Sequence, residues 1–363
     1  MAARSPSIPL PPPGPIADPP IRLMIVDDSI VARLILARML AGRAGFVVAA
    51  SATNAREALA LLDRIRVDII LLDVAMPGID GLTALPDILS RSHGARVLIL
   101  SSAAEHGAEA TVRALALGAA DTLLKPGAGH FAGRFAETLV ERLRRIGRAA
   151  RAPASRRVPC RERPACQDSA VQCIAIGAST GGVNALSALF RALPAGVTAP
   201  ILVTQHLPAP FMPYFAGQLQ EIAGRGAAVA ADGMPLRPGE IAVAPGDGHL
   251  GLVRTGGTVR VRIERAPAAS GCMPSVDPMF AAVAAIFGAA GFGVVLSGMG
   301  RDGVAGAAAL VAAGGEICAQ DEESSVVWGM PGAVVAAGLA TASLSPRQIA
   351  RRIGERAGRA PSP

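Results

Sequence analysis

The sequence predicts an α/β protein with two domains, each built on a parallel sheet. The chain has 363 residues, which is long for a single domain, and its hydrophobic fraction of 51% is enough for two cores. Short apolar runs typical of buried strands alternate with longer runs of helical spacing along nearly the whole chain. Such alternation is typical of parallel sheets that are covered by helices on both faces.

The first domain is predicted to span residues 21–146. It follows a tail, residues 1–20, that contains eight prolines and is expected to be disordered. The predicted strands are Arg22–Val26, Val47–Ala50, Asp68–Leu72, Arg96–Leu100 and Thr122–Leu124. The predicted helices are Ile30–Ala41, Ala55–Arg64, Leu82–Ser90, Gly107–Leu117 and Arg134–Ile146. Five strand-then-helix units predict a flavodoxin-like sheet of five parallel strands.

Residues 147–169 are rich in arginine and proline and are predicted to be a linker. Between Arg142 and Arg163 there are nine arginines and one acid, Glu162, so this stretch carries a net charge of +8. Because the whole chain carries +7, the rest sums to −1. The basic charge therefore belongs to a connector, as a solvated linker or a site for an acidic partner, and it does not indicate binding of nucleic acid.

Residues 170–360 are predicted to form a second, doubly wound α/β domain with a small antiparallel hairpin. Its predicted strands are 171–176, Pro200–Gln205, Ala227–Ala230, Glu240–Ala244, Gly293–Leu296 and Glu316–Cys318. Its predicted helices are 182–192, 210–223, 277–290, 302–313, 331–338 and 346–357. Leu250–Arg254 and Val259–Ile263, joined around Gly256-Gly257, predict the hairpin.

The cysteines and the hydropathy indicate a cytoplasmic protein. There are five cysteines, an odd number, without the paired spacing of a metal site, so we expect reduced thiols. No apolar run is long enough to cross a bilayer, and the start lacks the layout of a signal peptide, so no direct membrane insertion is expected.

Polar residues follow each strand end where the first sheet is expected to form its crevice. Asp27 and Asp28 follow the first strand, Asp73 the third, Ser101 the fourth and Lys125 the fifth. Three clustered carboxylates call for a hard divalent cation, and Mg²⁺ suits a site that also binds phosphate. A cation and a hydroxyl facing them would complete a phosphoryl-transfer pocket.

Lysine usage supports this interpretation. Lys125 is the only lysine among 35 basic residues. A chain that otherwise uses arginine throughout keeps one compact ammonium group at this position, which indicates a site that needs a point charge.

Residues 20–145 resemble the response-regulator receiver family through these strand-end residues. The resemblance implies that Asp73 is the phosphorylated aspartate and that Asp27 and Asp28 hold Mg²⁺ with it. It also implies that Ser101 and Lys125 contact the phosphoryl group.

One position departs from that family's pattern. Three residues before the lysine, such domains often carry an aromatic residue that moves on activation, and this chain has Thr122. The signal is therefore expected to travel by a different change in packing.

The chemistry of the second domain is predicted at a glycine-rich turn. The apolar run Val171–Ile176 leads into Gly177-Ala178-Ser179-Thr180-Gly181-Gly182, and helical spacing follows. A serine on a turn between a buried strand and a helix exposes its Oγ among unpaired N–H groups, which can hold an oxyanion. Ser179 is the predicted nucleophile, and Thr180 is expected at the rim of the site.

A serine nucleophile needs a base and an acid that orients the base. The second domain has two histidines, and His206 ends the strand that runs to Gln205, so it is expected at the same sheet edge as Ser179. His249 opens the hairpin and is expected to shape a loop, although it could line the site.

Asp302 is the predicted orienting acid. It follows Ser297-Gly298-Met299-Gly300, in a second strand, glycine turn and helix start, where an N-cap role is the alternative. Among the other acids, Asp321 is the reserve candidate. The remaining three are expected to have structural roles: Asp232, Asp247 and Asp277.

The whole chain resembles the CheB family of chemotaxis methylesterases. The resemblance rests on the receiver pattern, the turn at Ser179, Gln205-His206-Leu207-Pro208 and Gly298-Met299-Gly300-Arg301-Asp302-Gly303. The order Ser, His, Asp and the lack of G-x-S-x-G distinguish it from the α/β-hydrolases. The resemblance implies Ser179, His206 and Asp302 as the triad, with the Met299 backbone near the oxyanion.

The resemblance also implies the substrate and partners. The expected reaction is hydrolysis of glutamate γ-methyl esters on the cytoplasmic helices of chemoreceptors, with release of methanol and possible deamidation of glutamines. A histidine kinase of the CheA type would donate the phosphoryl group, and phosphorylation of Asp73 would uncover the serine site.

Two other classes of protein remain as alternatives. One is a phosphorylation-controlled adaptor whose second domain binds receptors without catalysis. The other is a DNA-binding response regulator, but the second domain is large and α/β and shows no basic helix-turn-helix pattern.

Overall fold

The computed structural model of the protein describes residues 19–76, 80–101, 105–125, 134–151 and 170–357. The predictions made for residues 1–18 and for residues 152–169 lie outside these ranges. None of the helices in these ranges combines the length and the apolar character that crossing a bilayer requires.

The N-terminal domain is a sheet of five parallel strands, as predicted. The strands are β1 (Ile21–Val26), β2 (Phe46–Ala52), β3 (Ile69–Asp73), β4 (Arg96–Ser101) and β5 (Asp121–Leu124), in the order β2-β1-β3-β4-β5. The helices are α1 (Ile30–Ala41), α2 (Ala55–Leu62), α3 (Gly81–Arg91), α4 (Glu105–Leu117) and α5 (Arg134–Arg151). Helix α5 runs past its predicted end at Ile146, because the arginine-rich sequence that follows has good helix propensity.

The second domain contains a seven-stranded parallel sheet and a separate hairpin. In chain order the strands are β6 (Cys173–Ala178), β7 (Ile201–Gln205), β8 (Ala227–Val229), β9 (Ile241–Val243), β10 (His249–Thr255), β11 (Thr258–Glu264), β12 (Gly291–Val295), β13 (Glu316–Gln320) and β14 (Ala342–Leu344). The helices are α6 (Gly182–Ala192), α7 (Met212–Ala223), α8 (Val276–Phe287), α9 (Val304–Ala312), α10 (Met330–Ala336) and α11 (Pro346–Ala357). Strands β10 and β11 form the predicted antiparallel hairpin.

The strand order of the large sheet is β14-β13-β12-β6-β7-β9-β8. The chain starts at β6, builds outward through β7 on one side, and later returns to β12 on the other side. All six residues of β6 are buried, since helices cover both faces of the sheet. A reversal of this kind opens a crevice at the carboxyl ends of the central strands, which is where open α/β sheets bind ligands.

The two domains contact each other through α4 and the short loop that connects it to β5. Helix α4 packs against α6 and α7. Two hydrogen bonds cross the interface at the loop: the Gly181 N–H donates to the Ala120 carbonyl over 2.7 Å, and the Thr180 hydroxyl donates to the Asp121 carboxylate over 2.8 Å. The first domain therefore contacts the turn that carries Ser179.

Candidate active site

Ser179 lies on the turn between β6 and α6, at the centre of the large sheet. Its N–H donates to the Ser297 carbonyl over 3.0 Å, and its carbonyl accepts from the Gly182 N–H over 2.7 Å, so both backbone groups are fixed. Gly181 has φ of +76°, and a Cβ there would lie 2.4 Å from the Cβ of Val326. Only glycine fits, because the backbone is left-handed and the space is filled.

His206 lies beside Ser179 at the end of the neighbouring strand. Strands β6 and β7 are parallel and pair Ala178 with Gln205, so the next residue of each strand is Ser179 and His206. The His206 N–H donates to the Ala178 carbonyl over 3.1 Å. The Gln205 side chain donates to the Ser179 carbonyl over 2.9 Å, which ties the two strand ends together.

Asp302 follows β12, the strand on the other side of β6, and its carboxylate faces His206. The His206 Nε2 lies 2.8 Å from Asp302 Oδ2. The Ser275 hydroxyl donates to Oδ1 over 2.6 Å, and the Val276 N–H donates to Oδ2 over 2.8 Å. Burial alone would raise the pKa of Asp302, but the hydrogen bonds from His206 and Ser275 outweigh it and hold the pKa below its usual range. The carboxylate is therefore ionised.

The alternative N-cap role does not apply to Asp302. Helix α9 begins at Val304, and Gly303 occupies the N-cap position without a side-chain hydrogen bond. The Asp302 carboxylate points instead to His206 and to the start of α8.

No hydrogen bond joins the Ser179 hydroxyl to the His206 ring in the described part of the chain. Ser179 is half-buried and His206 keeps part of its ring exposed. Catalytic hydrogen bonds in unliganded sites are often long and tighten when substrate binds. The structure thus joins His206 to Asp302 and puts Ser179 at the adjacent strand end, and the catalytic roles stay predictions.

The other acids and the second histidine have different partners. Asp321 accepts from the Ser324 N–H over 2.9 Å, Asp232 accepts from the Ile263 N–H over 2.9 Å, and the Asp277 carboxylate accepts from the Gly306 N–H over 2.8 Å. Asp247 forms an exposed pair with Arg265.

His249 is buried, and its Nδ1 accepts from the Ser275 N–H over 2.9 Å. Its Nε2 contacts the Ala266 carbonyl over 2.9 Å, so the ring fixes two loops. None of these side chains has its described partner at His206.

Thr180 and Met299 lie beside the nucleophile turn and the turn after β12. The Thr180 hydroxyl is engaged by Asp121 of the first domain, and Thr180 is buried there. Gly298 packs against Ser179, since a Cβ on Gly298 would lie 3.0 Å from the Ser179 Cβ. The residue after each of these two contacting positions is Thr180 or Met299, so both backbones border the same space.

The predicted phosphoryl pocket is assembled at the carboxyl ends of β1, β3 and β5. Carboxylate oxygens of Asp27, Asp28 and Asp73 lie within 4.8 Å of one another. Lys125 Nζ lies 2.8 Å from Asp27 Oδ2 and 2.7 Å from Asp73 Oδ2. Burial alone would lower the pKa of Lys125, but hydrogen bonds to Asp27 and Asp73 raise it above its usual value. Three hard oxygen donors around an ammonium group fit a Mg²⁺ ion.

Ser101 and Thr122 are buried side by side next to this pocket. Their hydroxyl oxygens are 3.4 Å apart. The Thr122 carbonyl accepts from Arg142 over 2.6 Å, and Arg142 also pairs with Asp121 over 2.9 Å. The position where receiver domains often carry an aromatic residue is therefore linked to the domain interface by one arginine.

Sequence reasoning missed Ser275, Gln205 and Asp121. Ser275 precedes a helix and looks like an ordinary N-cap, Gln205 sits inside a strand, and Asp121 begins one. Their partners are distant in sequence, so no local pattern could identify them. The one usable signal was the position of Gln205 directly before His206.

Comparisons with known proteins agree with this assignment of domains. A family model described as CheB methylesterase matches residues 174–353, and a model described as response regulator receiver domain matches residues 23–130. A protein-glutamate methylesterase/protein-glutamine glutaminase 2 of Caulobacter vibrioides is 44% identical over 93% of this chain and 99% of its own length.

A similar protein of Paramagnetospirillum magneticum, named protein-glutamate methylesterase/protein-glutamine glutaminase 1, is 40% identical over 96% of this chain and 98% of its own length. The crystal structure of the Thermotoga maritima CheB methylesterase catalytic domain is also similar. It is 34% identical, has a TM-score of 0.50, and covers 51% of this chain and 98% of that domain.

Proposed function

Because the chain belongs to the CheB methylesterase family, we propose that it hydrolyses glutamate γ-methyl esters on chemoreceptors under the control of its receiver domain. The relatives carry names that add a glutaminase activity, and we include deamidation of receptor glutamines by the same site. The observation that carries the proposal is the His206–Asp302 hydrogen bond of 2.8 Å beside the Ser179 turn.

The proposed reaction uses three side chains from adjacent strand ends. His206 takes the proton of the Ser179 hydroxyl, and Oγ attacks the ester carbonyl. The tetrahedral intermediate collapses, His206 returns the proton to the leaving methanol, and water then hydrolyses the acyl-enzyme. Asp302 orients the imidazole and stabilises its protonated form, which an ionised and buried carboxylate does well. Since the ring faces Asp302 through Nε2, the nitrogen that acts on Ser179 is Nδ1.

Backbone N–H groups are proposed to stabilise the oxyanion. The N–H groups of Thr180 and Met299 form no hydrogen bond with another residue in the described ranges. Both border the turn of Ser179, and the amino-terminal end of α6 adds a positive potential there.

The receiver pocket is proposed to control access to this site. Asp27, Asp28 and Asp73 would hold Mg²⁺, which supplies charge neutralisation for phosphoryl transfer to Asp73 when it is bound. Lys125 and Ser101 would then contact the phosphoryl oxygens. A histidine kinase of the CheA type is the proposed phosphodonor.

Covering of Ser179 by the first domain is the proposed off state. Asp121 holds the Thr180 hydroxyl and Ala120 holds the Gly181 N–H, so the interface lies one residue from the nucleophile. Phosphorylation of Asp73 would weaken these contacts and admit a receptor helix.

Two measurements test the proposal. Ser179→Ala should release no methanol from methylated receptor, and Asp321→Asn, the matched change at the reserve acid, should leave the rate within about twofold of the parent chain because its partner is Ser324. Methanol release by Ser179→Ala would refute the esterase assignment and leave the adaptor as the better interpretation.

For the control mechanism, residues 170–363 should be more active than the unphosphorylated full chain. Equal rates would contradict inhibition by covering.

A further inference from the structure

A third donor atom lies against the His206–Asp302 pair. A ring nitrogen of His206, Sγ of Cys272 and a carboxylate oxygen of Asp302 lie within 4.8 Å of one another. Asp302 is 3% exposed, while His206 and Cys272 are half-buried and open to the crevice. Of the three cysteines described, Cys173 and Cys318 are fully buried inside strands, so Cys272 alone faces the site.

We propose that Cys272, His206 and Asp302 form a binding site for a thiophilic divalent cation of the Zn²⁺ class, and that its occupancy reversibly inhibits the enzyme. Sulfur, imidazole nitrogen and one carboxylate oxygen make a donor set typical of zinc, with water or another small ligand at a fourth position. The inhibition rests on the proposed triad, but the binding does not.

The geometry requires small movements. Zinc bonds of about 2.0–2.3 Å place tetrahedral donors roughly 3.3–3.8 Å apart. The His206–Asp302 contact of 2.8 Å must therefore open by about half an ångström, and Sγ must approach by about one ångström at most. Cys272 lies on a loop between exposed residues Gly271 and Met273, where such a shift meets few neighbours.

The carboxylate has room for the ion. An ionised carboxylate offers about four lone-pair sites, and three of them on Asp302 accept from Ser275, Val276 and His206. The remaining site is on Oδ1. The carboxylate and a thiolate together carry two negative charges, which a divalent cation neutralises in this half-buried space.

Binding must release a proton from the thiol. Burial and the charge of Asp302 raise the pKa of Cys272, so without metal the sulfur is a neutral thiol. The cation displaces that proton to solvent and takes the sulfur lone pair, and it takes a lone pair of the imidazole as well. The imidazole that accepts the Ser179 proton is then occupied, so ester hydrolysis stops.

Titration of the full chain with Co²⁺ tests the binding. A thiolate bound to Co²⁺ gives a near-ultraviolet charge-transfer band, and Zn²⁺ should abolish it by replacing Co²⁺. The band should persist in Ser179→Ala and in the double variant Cys160→Ser with Cys166→Ser, whose residues lie outside the described ranges, and it should vanish in Cys272→Ser. Persistence in Cys272→Ser, or absence from the parent chain, would overturn the proposal.

Methanol release tests the inhibition. Zn²⁺ should inhibit the parent chain, a chelator should restore the rate, and Cys272→Ser should raise the half-inhibiting concentration by about tenfold or more with an unchanged rate in metal-free buffer. Equal zinc sensitivity of the two proteins would refute inhibition through this site. If Ser179→Ala still released methanol, the proposed function would fail, while the Co²⁺ result would remain a separate measure of binding.

Discussion

At the scale of single residues, Ser275 decides the state of the proposed orienting acid. Its hydroxyl donates to Asp302 Oδ1 over 2.6 Å, and both residues are buried. The same hydroxyl accepts from the Asp277 N–H at the start of α8. One side chain thus caps a helix and fixes the carboxylate that orients His206.

Replacing this hydroxyl should slow the reaction. In Ser275→Ala one oxygen of a buried carboxylate loses its donor, so Asp302 holds His206 less rigidly and stabilises its charge less well. We expect kcat to fall by about tenfold, the equivalent of one charge-assisted hydrogen bond, with KM little changed. Ser275→Thr keeps the hydroxyl and should recover most of the rate. Methanol release measured over a range of substrate concentrations checks both.

Ser187→Ala is the matched control. Its hydroxyl is also buried and donates to the Val183 carbonyl within α6, so the change removes a buried hydroxyl without affecting Asp302. An equal fall in kcat for both variants would mean that Ser275 acts on stability alone.

The lowered pKa of Asp302 gives the same variant a pH signature. A carboxyl whose pKa is lower in the folded state contributes stability that is present above its unfolded pKa of about 3.9 and is lost as the pH falls through its folded pKa. Ser275→Ala removes part of that contribution. The difference in urea midpoint between parent and variant should therefore be largest near pH 7 and shrink below about pH 3.9.

At the scale of elements, the turn at Ser179 is specified by sterics. Gly181 adopts a left-handed conformation directly before α6 and packs against Val326 and Ser297. Any side chain there must displace a distant loop or change the direction in which α6 leaves the strand. The position of Ser179 relative to β7 follows from this residue.

Gly181→Ala should therefore cost both stability and activity. The positive φ alone costs about 1–2 kcal/mol, and the clash with Val326 adds to it. Gly196→Ala is the control, because a Cβ there meets no atom within 4 Å. Thermal unfolding and methanol release should be impaired in the first variant and unchanged in the second. A Gly181→Ala protein as active as the parent would show that the turn tolerates rearrangement.

Most elements followed from local pattern, and the exceptions have physical reasons. Buried parallel strands such as Ile201–Gln205 read as continuous apolar runs, and the helices were found within a few residues at each end. Strand β14 was missed because three residues, Ala342–Leu344, give no periodicity. The His206–Asp302 contact followed from strand ends, whereas Ser275 and Cys272 reach the site through loop geometry that no spacing records.

At the scale of the whole molecule, one acid joins the two domains. Asp121 is mostly buried, accepts from Thr180 of the second domain, and pairs with Arg142 of its own. Arg142 also holds the carbonyl of Thr122, whose hydroxyl lies beside Ser101 in the phosphoryl pocket. A shift of Ser101 toward a phosphoryl group would therefore move the residue next to Asp121.

Asp121→Asn should loosen the interface. The amide keeps the shape of the side chain but removes the charge that strengthens both contacts, so the covered state loses about one charge-assisted hydrogen bond. The unphosphorylated full chain should then release methanol up to about tenfold faster, while the phosphorylated protein keeps its parent rate because its interface is already open. Asp63→Asn, which breaks an exposed pair with Arg91 on the same domain, should change neither rate. Unaltered basal activity in Asp121→Asn would show that apolar packing of α4 against α6 and α7 holds the domains together by itself.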